Sequence, residues 1–129
     1  MKKNTPWLLL LLVLLPSSIC AQVADNLAVR AIIGEASNQG YEGMLAVAVA
    51  IRNRATLEGV YGINAKHIDS EPKWVWDMAR RAWKESEHNR IHTGTHWENI
   101  KEFGKPYWAD KMTRVYAYKD HIFYVSPPK

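Results

Sequence analysis

The chain has 129 residues, with 17 Lys and Arg, 13 Asp and Glu, and a single cysteine. This length is enough for one domain. A lone cysteine excludes an internal disulfide framework, so the fold must depend on its apolar core. Six Trp and six Tyr supply aromatic faces that suit either sugar rings or a small core.

The amino terminus is typical of an export signal. Lys2 and Lys3 precede an apolar run, Trp7 to Leu15, which is far shorter than the ~20 residues of a membrane span. Small residues follow that run. We expect a signal peptide of residues 1–21, cleaved after Ala21, and export to the periplasm or the extracellular space.

Cleavage would leave residues 22–129 as one domain without cysteine and without a membrane span. Lipid attachment at Cys20 is the competing interpretation, and Ile19 disfavours it because small residues normally precede a lipidated cysteine. The cleaved chain would keep 15 basic and 13 acidic side chains, a net charge of +2. That charge is too small to indicate nucleic-acid binding. We also expect the protein to be a monomer.

Hydrophobic periodicity predicts a first helix from Asp25, at its N-cap, to Ser37. One stripe of this helix, at 3.6-residue spacing, combines four apolar side chains with one acid: Leu27, Ala28, Ala31, Ile32 and Glu35. The acid is therefore expected on the apolar side of the helix rather than in solvent.

A second helix is predicted from Tyr41 or Glu42 to Ala55. Its middle, Met44 to Ile51, is apolar on every face, which is typical of a helix that is buried on all sides. Residues 57–67 contain two glycines and indicate a loop.

The third helix is predicted to begin at Ser70-Glu71-Pro72 and to end near Asn89. Its inner stripe consists of Val75, Met78, Ala79 and Ala82. Residues 93–95 then indicate a turn, because Gly94 lies between two threonines.

Pro106 starts a short fourth predicted helix that ends near Met112. Two apolar stretches, Val115 to Tyr118 and His121 to Val125, flank Lys119-Asp120 and predict a small β-hairpin. The fold class expected from these elements is mainly α with a small β-hairpin, in a single domain.

Glu35 is the leading candidate for a catalytic group. A carboxyl on an apolar stripe beside an all-apolar helix loses hydration, which disfavours its anion and raises its pKa. A glycosidase acid needs such a pKa to keep its proton near neutral pH. The alternative is a helix-end glutamate whose carboxylate reaches water or pairs with Arg52 or Arg54.

The histidines lack a metal motif. His88, His92 and His96 are spaced four residues apart, and on an unbroken helix they could share a zinc ion. Gly94 and Thr95 interrupt such a helix, and no H-E-x-x-H sequence occurs. We expect no metal and no cofactor, and we interpret His88 and His92 as solvated histidines at a helix end.

Residues 94–98, Gly-Thr-His-Trp-Glu, place a hydroxyl, an imidazole, an indole and a carboxylate in one turn. Turns carry binding groups more often than helices do, although an ordinary loop with polar residues would look the same. No Gly-rich phosphate loop and no Ser-His-Asp arrangement accompanies this turn.

Several segments together indicate a family. In chain order they are residues 30–36 (Arg-Ala-Ile-Ile-Gly-Glu-Ala), 41–48 (Tyr-Glu-Gly-Met-Leu-Ala-Val-Ala), Asn53-Arg54, 94–97 (Gly-Thr-His-Trp), 106–109 (Pro-Tyr-Trp-Ala) and 121–124 (His-Ile-Phe-Tyr). This ordered set resembles the SleB-type cell-wall hydrolases, a family that includes spore-cortex-lytic enzymes. The Gln-Phe-Ser stretch common in that family does not occur between Tyr61 and Asp69.

The resemblance implies a lysozyme-like, mainly α-helical fold similar to that of lytic transglycosylases. It implies that the substrate is the glycan strand of peptidoglycan, cut at the β-1,4 bond between N-acetylmuramic acid and N-acetylglucosamine, with Glu35 as the catalytic acid. The candidates for substrate binding are Thr95 and His96. Trp108 and Tyr124 are candidates for sugar contact, with core packing as the alternative.

Two routes could finish the reaction. Water could attack with help from a second carboxylate, or the muramic 6-hydroxyl could attack and form a 1,6-anhydro product with Glu35 returning as base. We favour the second route because no other acid has a comparable motif. Glu98 and Glu42 are the fallback second carboxylates, although Glu42 also suits the start of a helix.

Two other classes of protein compete with this hypothesis. One is a non-catalytic wall-binding or inhibitor protein on the same fold, and the other is a zinc-dependent wall amidase or peptidase. The presence of Glu35 in its motif disfavours the first class, and the lack of a zinc motif disfavours the second.

Overall fold

The computed structural model describes residues 23–127. The predicted signal peptide, with Cys20 and the cleavage site at Ala21, lies outside the described residues. Within them the protein is mainly α-helical with one small antiparallel sheet, which confirms the prediction of a mainly α fold with a minor β element. In this part of the chain no helix is both long enough and apolar enough to cross a membrane.

The described part of the chain contains four α-helices, three strands and three short 3-10 turns. The helices are α1 (Asp25–Ala36), α2 (Gly40–Arg54), α3 (Lys73–Glu85) and α4 (Ile100–Phe103). The strands are β1 (His96–Asn99), β2 (Thr113–Tyr118) and β3 (His121–Val125). The 3-10 turns cover Tyr61–Asn64, Ile68–Ser70 and Tyr107–Lys111.

Helix α2 is the buried centre of the fold. Every residue from Gly43 to Ile51 is buried, which confirms the prediction from its uniformly apolar middle. Helices α1 and α3 both pack against it. The helix ends at Arg54, and the left-handed backbone of the C-cap residue Ala55 (φ 59°) lets the Ala55 N–H donate to the Ile51 carbonyl at 2.8 Å.

Helix α1 turns one face toward this core. Three members of its predicted stripe are fully buried: Ala28, Ala31 and Ile32. Leu27 is 42% exposed instead, because it lies at the edge of the buried face. Asp25 is not the N-cap, since Ala24 holds that position and the Asp25 carboxylate accepts a hydrogen bond from the Trp83 indole at 2.8 Å.

Helix α3 is shorter than predicted. It begins at Lys73, directly after Pro72, and ends at Glu85 rather than near Asn89. The end is set by Ser86, whose hydroxyl donates to the Trp83 carbonyl at 2.6 Å. The inner stripe packs on the core, with Val75, Ala79 and Ala82 buried and Met78 half-buried.

The predicted hairpin is confirmed, but the sequence analysis did not predict its neighbouring strand. Strands β2 and β3 pair around Lys119-Asp120, and Lys119 has a positive φ of 49°. Strand β1 pairs with the other edge of β3, so the antiparallel order is β1-β3-β2. The helix predicted from Pro106 is also different, since only a 3-10 turn, Tyr107–Lys111, forms there.

His92 is buried, so its interpretation as a solvated histidine is wrong, whereas His88 is exposed as expected. The His92 Nε2 lies 2.8 Å from the Ala46 carbonyl, and its Nδ1 accepts from the Gly94 N–H at 2.9 Å. Its ring stacks on Tyr116 at 5.0 Å. Burial lowers the His92 pKa and thereby favours the neutral ring. Through its two hydrogen bonds this ring connects the turn before β1 to helix α2.

Helix α1 meets the 3-10 turn Tyr61–Asn64 at two glycines. A Cβ on Gly34 would overlap the carbonyl of Gly62, so only glycine permits the two backbones to lie this close. The contact therefore fixes the turn beside the last residues of α1.

Gly34→Ala is expected to lower the free energy of unfolding by about 1–3 kcal/mol, the usual cost of extra volume in a packed contact. Helix propensity alone would act in the opposite direction, since alanine is favoured over glycine by about 1 kcal/mol. Chemical denaturation measures the difference, with Asn26→Ala at an exposed position of the same helix as control. A variant as stable as the parent would contradict the contact.

Candidate active site

Glu35 lies in the last turn of α1, and its side chain lines a cleft between the helices and the sheet. Its Oε1 accepts a hydrogen bond from the Trp97 indole Nε1–H at 2.7 Å. The main-chain N–H of Gly62 donates a second hydrogen bond to the same carboxyl. The carboxyl is thus held between strand β1 and the 3-10 turn Tyr61–Asn64.

Gly62 provides the space that this carboxyl occupies. A Cβ at position 62 would overlap Oε2 of Glu35. Gly34 allows the turn to approach the helix, and Gly62 leaves room for the acid between them. Any larger residue at position 62 would displace the carboxyl or the turn, so both glycines shape the site directly.

Burial raises the pKa of Glu35 above its usual value. The hydrogen bonds from Trp97 and Gly62 and the positive charge of Arg54 act in the opposite direction, because they favour the anion. The negative charge of Glu98 adds to the effect of burial. Burial is the largest of these influences, so Glu35 keeps its proton to a higher pH than a solvated glutamate does.

Arg54 supports the Trp97 side of the cleft. Its guanidinium carbon lies 5.6 Å from the centre of the Trp97 ring, and it donates to the main-chain carbonyls of Thr95 at 3.2 Å and Glu58 at 2.7 Å. Burial lowers the pKa of Arg54. Because its hydrogen bonds go to carbonyls, Arg54 positions the indole donor without forming an ion pair with Glu35.

The cleft beside Glu35 has a volume of about 940 Å³. Aromatic rings stand along it, and Tyr61 and Phe103 are 83% and 68% exposed at its rim. Further lining groups are acids and histidines: Glu71, Glu98, Glu102, His67, His96 and His121. Exposed aromatic faces beside hydrogen-bonding side chains suit a ligand with flat apolar faces and many hydroxyl or amide groups, as sugars have.

The structure brings part of the predicted site together. Four of the predicted residues line the cleft: Glu35, His96, Glu98 and Trp108. Thr95 and Tyr124 lie behind this wall. The Thr95 hydroxyl is 2.9 Å from His96 Nδ1, and the Tyr124 ring, 5% exposed, packs edge-on against Trp108 at 5.3 Å. Both residues therefore support the side chains that face the cleft.

Glu42 lies away from the cleft. It is exposed in the first turn of α2, where a negative charge suits the helix N-terminus, and it is not among the residues that line the cleft. Glu98 is the one fallback carboxylate that faces the same space as Glu35. Burial raises the Glu98 pKa as well, while the hydrogen bond from the Asn99 N–H lowers it.

His121 belongs to the site, although the sequence indicated only its place in a strand. Its ring is 4% exposed, lines the cleft, and uses the main-chain carbonyl of Glu35 as a hydrogen-bond acceptor. Its Nδ1 is buried and has no partner among residues 23–127. Alternation along β3, which buries both His121 and Phe123, is the sequence signal that could have placed the ring inside.

The three spaced histidines do not converge. His88 is exposed beside Glu85, His92 is bonded to α2, and His96 lines the cleft. In the described part of the chain no three His, Cys, Asp or Glu side chains are close enough together to hold a metal ion.

Comparison with known proteins does not assign the site to a family. No family model, no curated protein and no solved structure matches the chain. The site is defined by its own geometry: the Glu35 carboxyl is half-buried, accepts a hydrogen bond from the Trp97 indole and is open to the cleft.

Proposed function

We propose that the protein is an exported peptidoglycan glycosidase of the SleB type, with Glu35 as its general acid and base. The proposal includes the lysozyme-like fold and the signal peptide that the resemblance and the amino terminus imply. The observation that supports it most is the Glu35 carboxyl, whose pKa is raised by burial at the edge of a large cleft. A proton donor for a glycosidic oxygen needs that combination of a retained proton and access to substrate.

In this proposal the Glu35 proton lies on Oε2, because Oε1 accepts from Trp97. Oε2 transfers the proton to the glycosidic oxygen between N-acetylmuramic acid and N-acetylglucosamine. The bond from that oxygen to the muramic anomeric carbon breaks, and an oxocarbenium-like centre develops there. Trp97 and Gly62 then stabilise the resulting Glu35 carboxylate by hydrogen bonding.

The second half of the reaction follows one of two routes. In the favoured route the muramic 6-hydroxyl bonds to the anomeric carbon while the Glu35 carboxylate takes its proton, which gives a 1,6-anhydro product and restores the acid. In the other route water attacks, and of the two fallback carboxylates Glu98, unlike Glu42, lines the same cleft, as Glu71 and Glu102 also do. His96 and Trp108 are the side chains that we assign to sugar binding.

Glu35→Gln is expected to lower the release of muropeptides from purified peptidoglycan by about 100-fold or more, since the amide cannot donate the proton. Glu42→Gln makes the same chemical change outside the cleft and should retain the parent rate.

Glu98→Gln distinguishes the two routes, because a large loss of activity in this variant would favour attack by water. Mass spectrometry of the products shows whether anhydro ends form, and full activity of the Glu35 variant would refute the proposal.

Trp97→Phe removes the indole donor that favours the Glu35 anion, so the pKa of Glu35 is expected to rise further. The alkaline limb of the kcat/KM profile should then move to higher pH by about one unit. Trp83→Phe is the matched control, because it also loses an indole-to-carboxylate hydrogen bond but lies outside the cleft. An alkaline limb that stays in place in Trp97→Phe would show that the indole does not tune the acid.

The raised pKa of Glu35 also predicts a pH dependence of stability. The folded state binds the Glu35 proton more tightly than the unfolded chain, whose carboxyl has the ordinary value of 4.5, so stability falls as pH rises through this range. Relative to the parent, the Tm of Glu35→Gln should therefore increase from pH 4 to pH 8. Thermal unfolding across that range measures it, and a constant difference in Tm would contradict the raised pKa.

A further inference from the structure

Two aromatic side chains of the cleft are turned toward solvent instead of the core. Tyr61 is 83% exposed and Phe103 is 68% exposed, and both line the cleft beside Glu35. The other exposed large apolar side chains of residues 23–127 lie outside the cleft: Leu27, Trp74 and Tyr107. A single exposed aromatic is ordinary on a protein surface, whereas two in one concave surface indicate a place where a ligand covers them.

The backbone that carries Tyr61 is fixed beside the acid. Tyr61 directly precedes Gly62, whose N–H donates to the Glu35 carboxyl and whose carbonyl lies against Gly34. The Ala65 N–H closes the turn by donating to the Gly62 carbonyl at 2.9 Å. A ligand that contacts the Tyr61 ring therefore does not have to order the turn first, which reduces the entropic cost of binding.

Phe103 is the last residue of α4, and this short helix is also held in place. Asn99 caps its start, because its side-chain oxygen accepts from the Glu102 N–H at 3.0 Å. The Ile100 N–H donates to the Asp120 carbonyl in the turn between β2 and β3 at 2.8 Å. The Phe103 ring is thus presented to the cleft by a backbone that is tied to the sheet.

The elements that carry the two rings border the acid. Tyr61 belongs to the 3-10 turn that donates to Glu35 through Gly62, and Phe103 belongs to the helix that follows β1. Strand β1 donates to Glu35 through Trp97, and α4 packs on β1 and β3. The acid therefore lies between two elements, each associated with one exposed ring.

The polar side chains of the cleft favour a hydroxyl-rich ligand over an anion. Glu71, Glu98 and Glu102 line it, and Arg54 is the only Lys or Arg among its described lining residues. Arg54 already donates to two main-chain carbonyls. Carboxylates repel anions and accept hydrogen bonds from hydroxyl and amide groups. Aromatic faces together with such acceptors match the C–H face and the hydroxyl edge of a sugar ring.

We propose that Tyr61 and Phe103 are sugar-binding platforms that hold a glycan chain across Glu35, with one ring on each side of the bond that is cut. Each ring contacts the C–H face of a different sugar unit, so binding strengthens with chain length. Neither residue belongs to the segments that carry the family resemblance. The placement of the cut bond rests on the proposed function, whereas the binding of a sugar chain by the two rings does not.

Binding is measured in the Glu35→Gln background, which prevents cleavage, from the indole N–H signals of the tryptophans in ¹⁵N-labelled protein. The probe is the β-1,4-linked tetramer of N-acetylglucosamine, and the single sugar N-acetylglucosamine is the short probe. We expect saturable shifts of Trp97 and Trp108, which line the cleft, no shift of Trp74, and tighter binding of the tetramer. No saturable shift, or equal affinity for the two probes, would overturn the proposal.

Variants of the two rings provide the second arm. Tyr61→Ala and Phe103→Ala should each weaken tetramer binding by about threefold to tenfold, because one aromatic contact is lost. Both side chains are exposed, so the fold should persist, and Tyr61→Phe and Phe103→Tyr should retain the affinity because they keep a ring. Trp74→Ala and Tyr107→Ala are the matched controls, since they remove exposed rings outside the cleft. Unchanged binding in either cleft variant, or an equal loss in the controls, would overturn the proposal.

Activity on peptidoglycan distinguishes this proposal from the proposed function. In the parent background, kcat/KM of Tyr61→Ala and Phe103→Ala should fall by the same factor as the affinity. The alkaline limb of the kcat/KM profile should stay in place, because the hydrogen bonds to Glu35 come from Trp97 and Gly62. A limb that moves would show that the ring acts on the acid, which would contradict a role in sugar contact alone.

The two possible failures have different signatures. Tetramer binding that depends on the rings, in a protein that releases no muropeptides, would count against the proposed function alone. Muropeptide release that depends on Glu35, with unchanged tetramer binding in the ring variants, would count against the sugar platforms alone.

Discussion

The hydrogen bond between the Trp97 indole and the Glu35 carboxyl is the contact on which the geometry of the site depends. It joins the last turn of α1 to strand β1, two elements 62 residues apart along the chain. The Arg54 guanidinium carbon lies 5.6 Å from the centre of the same indole ring, and the centre of the Phe123 ring lies 6.3 Å from it. The position of the acid is therefore set jointly by a helix, a strand and a half-buried arginine.

The buried titratable groups of the fold make its stability depend on pH in two opposite directions. No disulfide stabilises the described part of the chain, which has no cysteine. His92 and His121 are buried with lowered pKa values, so they stabilise the fold above the ordinary histidine value of 6.5 and that stability is lost as pH falls. The contribution of Glu35 to stability changes with pH in the opposite direction, because the fold disfavours the anion of this side chain. A fall in pH through the histidine range thus weakens the contacts of the two histidines, whereas a rise in pH above 4.5 disfavours the Glu35 carboxyl, so the two kinds of group contribute to the pH dependence of stability with opposite sign.

The sequence predicted those elements whose signal is local. The apolar run of α2, the stripe of α1 with Glu35 at its end, and the hairpin of β2 and β3 each follow from periodicity within one segment. Strand β1 could not be predicted, since its four residues alternate only weakly and it exists through pairing with β3. Tertiary pairing of this kind outweighs local propensity.

The site was predictable to the same extent. The chemistry of the side chains and the sequence motifs predicted four residues of the cleft: Glu35, His96, Glu98 and Trp108. Such residues can be recognised from their type alone. The partners that determine what Glu35 can do were not found: the Trp97 indole, the Gly62 backbone and the His121 ring all reach it from distant segments. The pattern of residues along one sequence does not show which distant segments meet in space. The proximity of residues 62, 97 and 121 to Glu35 could therefore not be predicted.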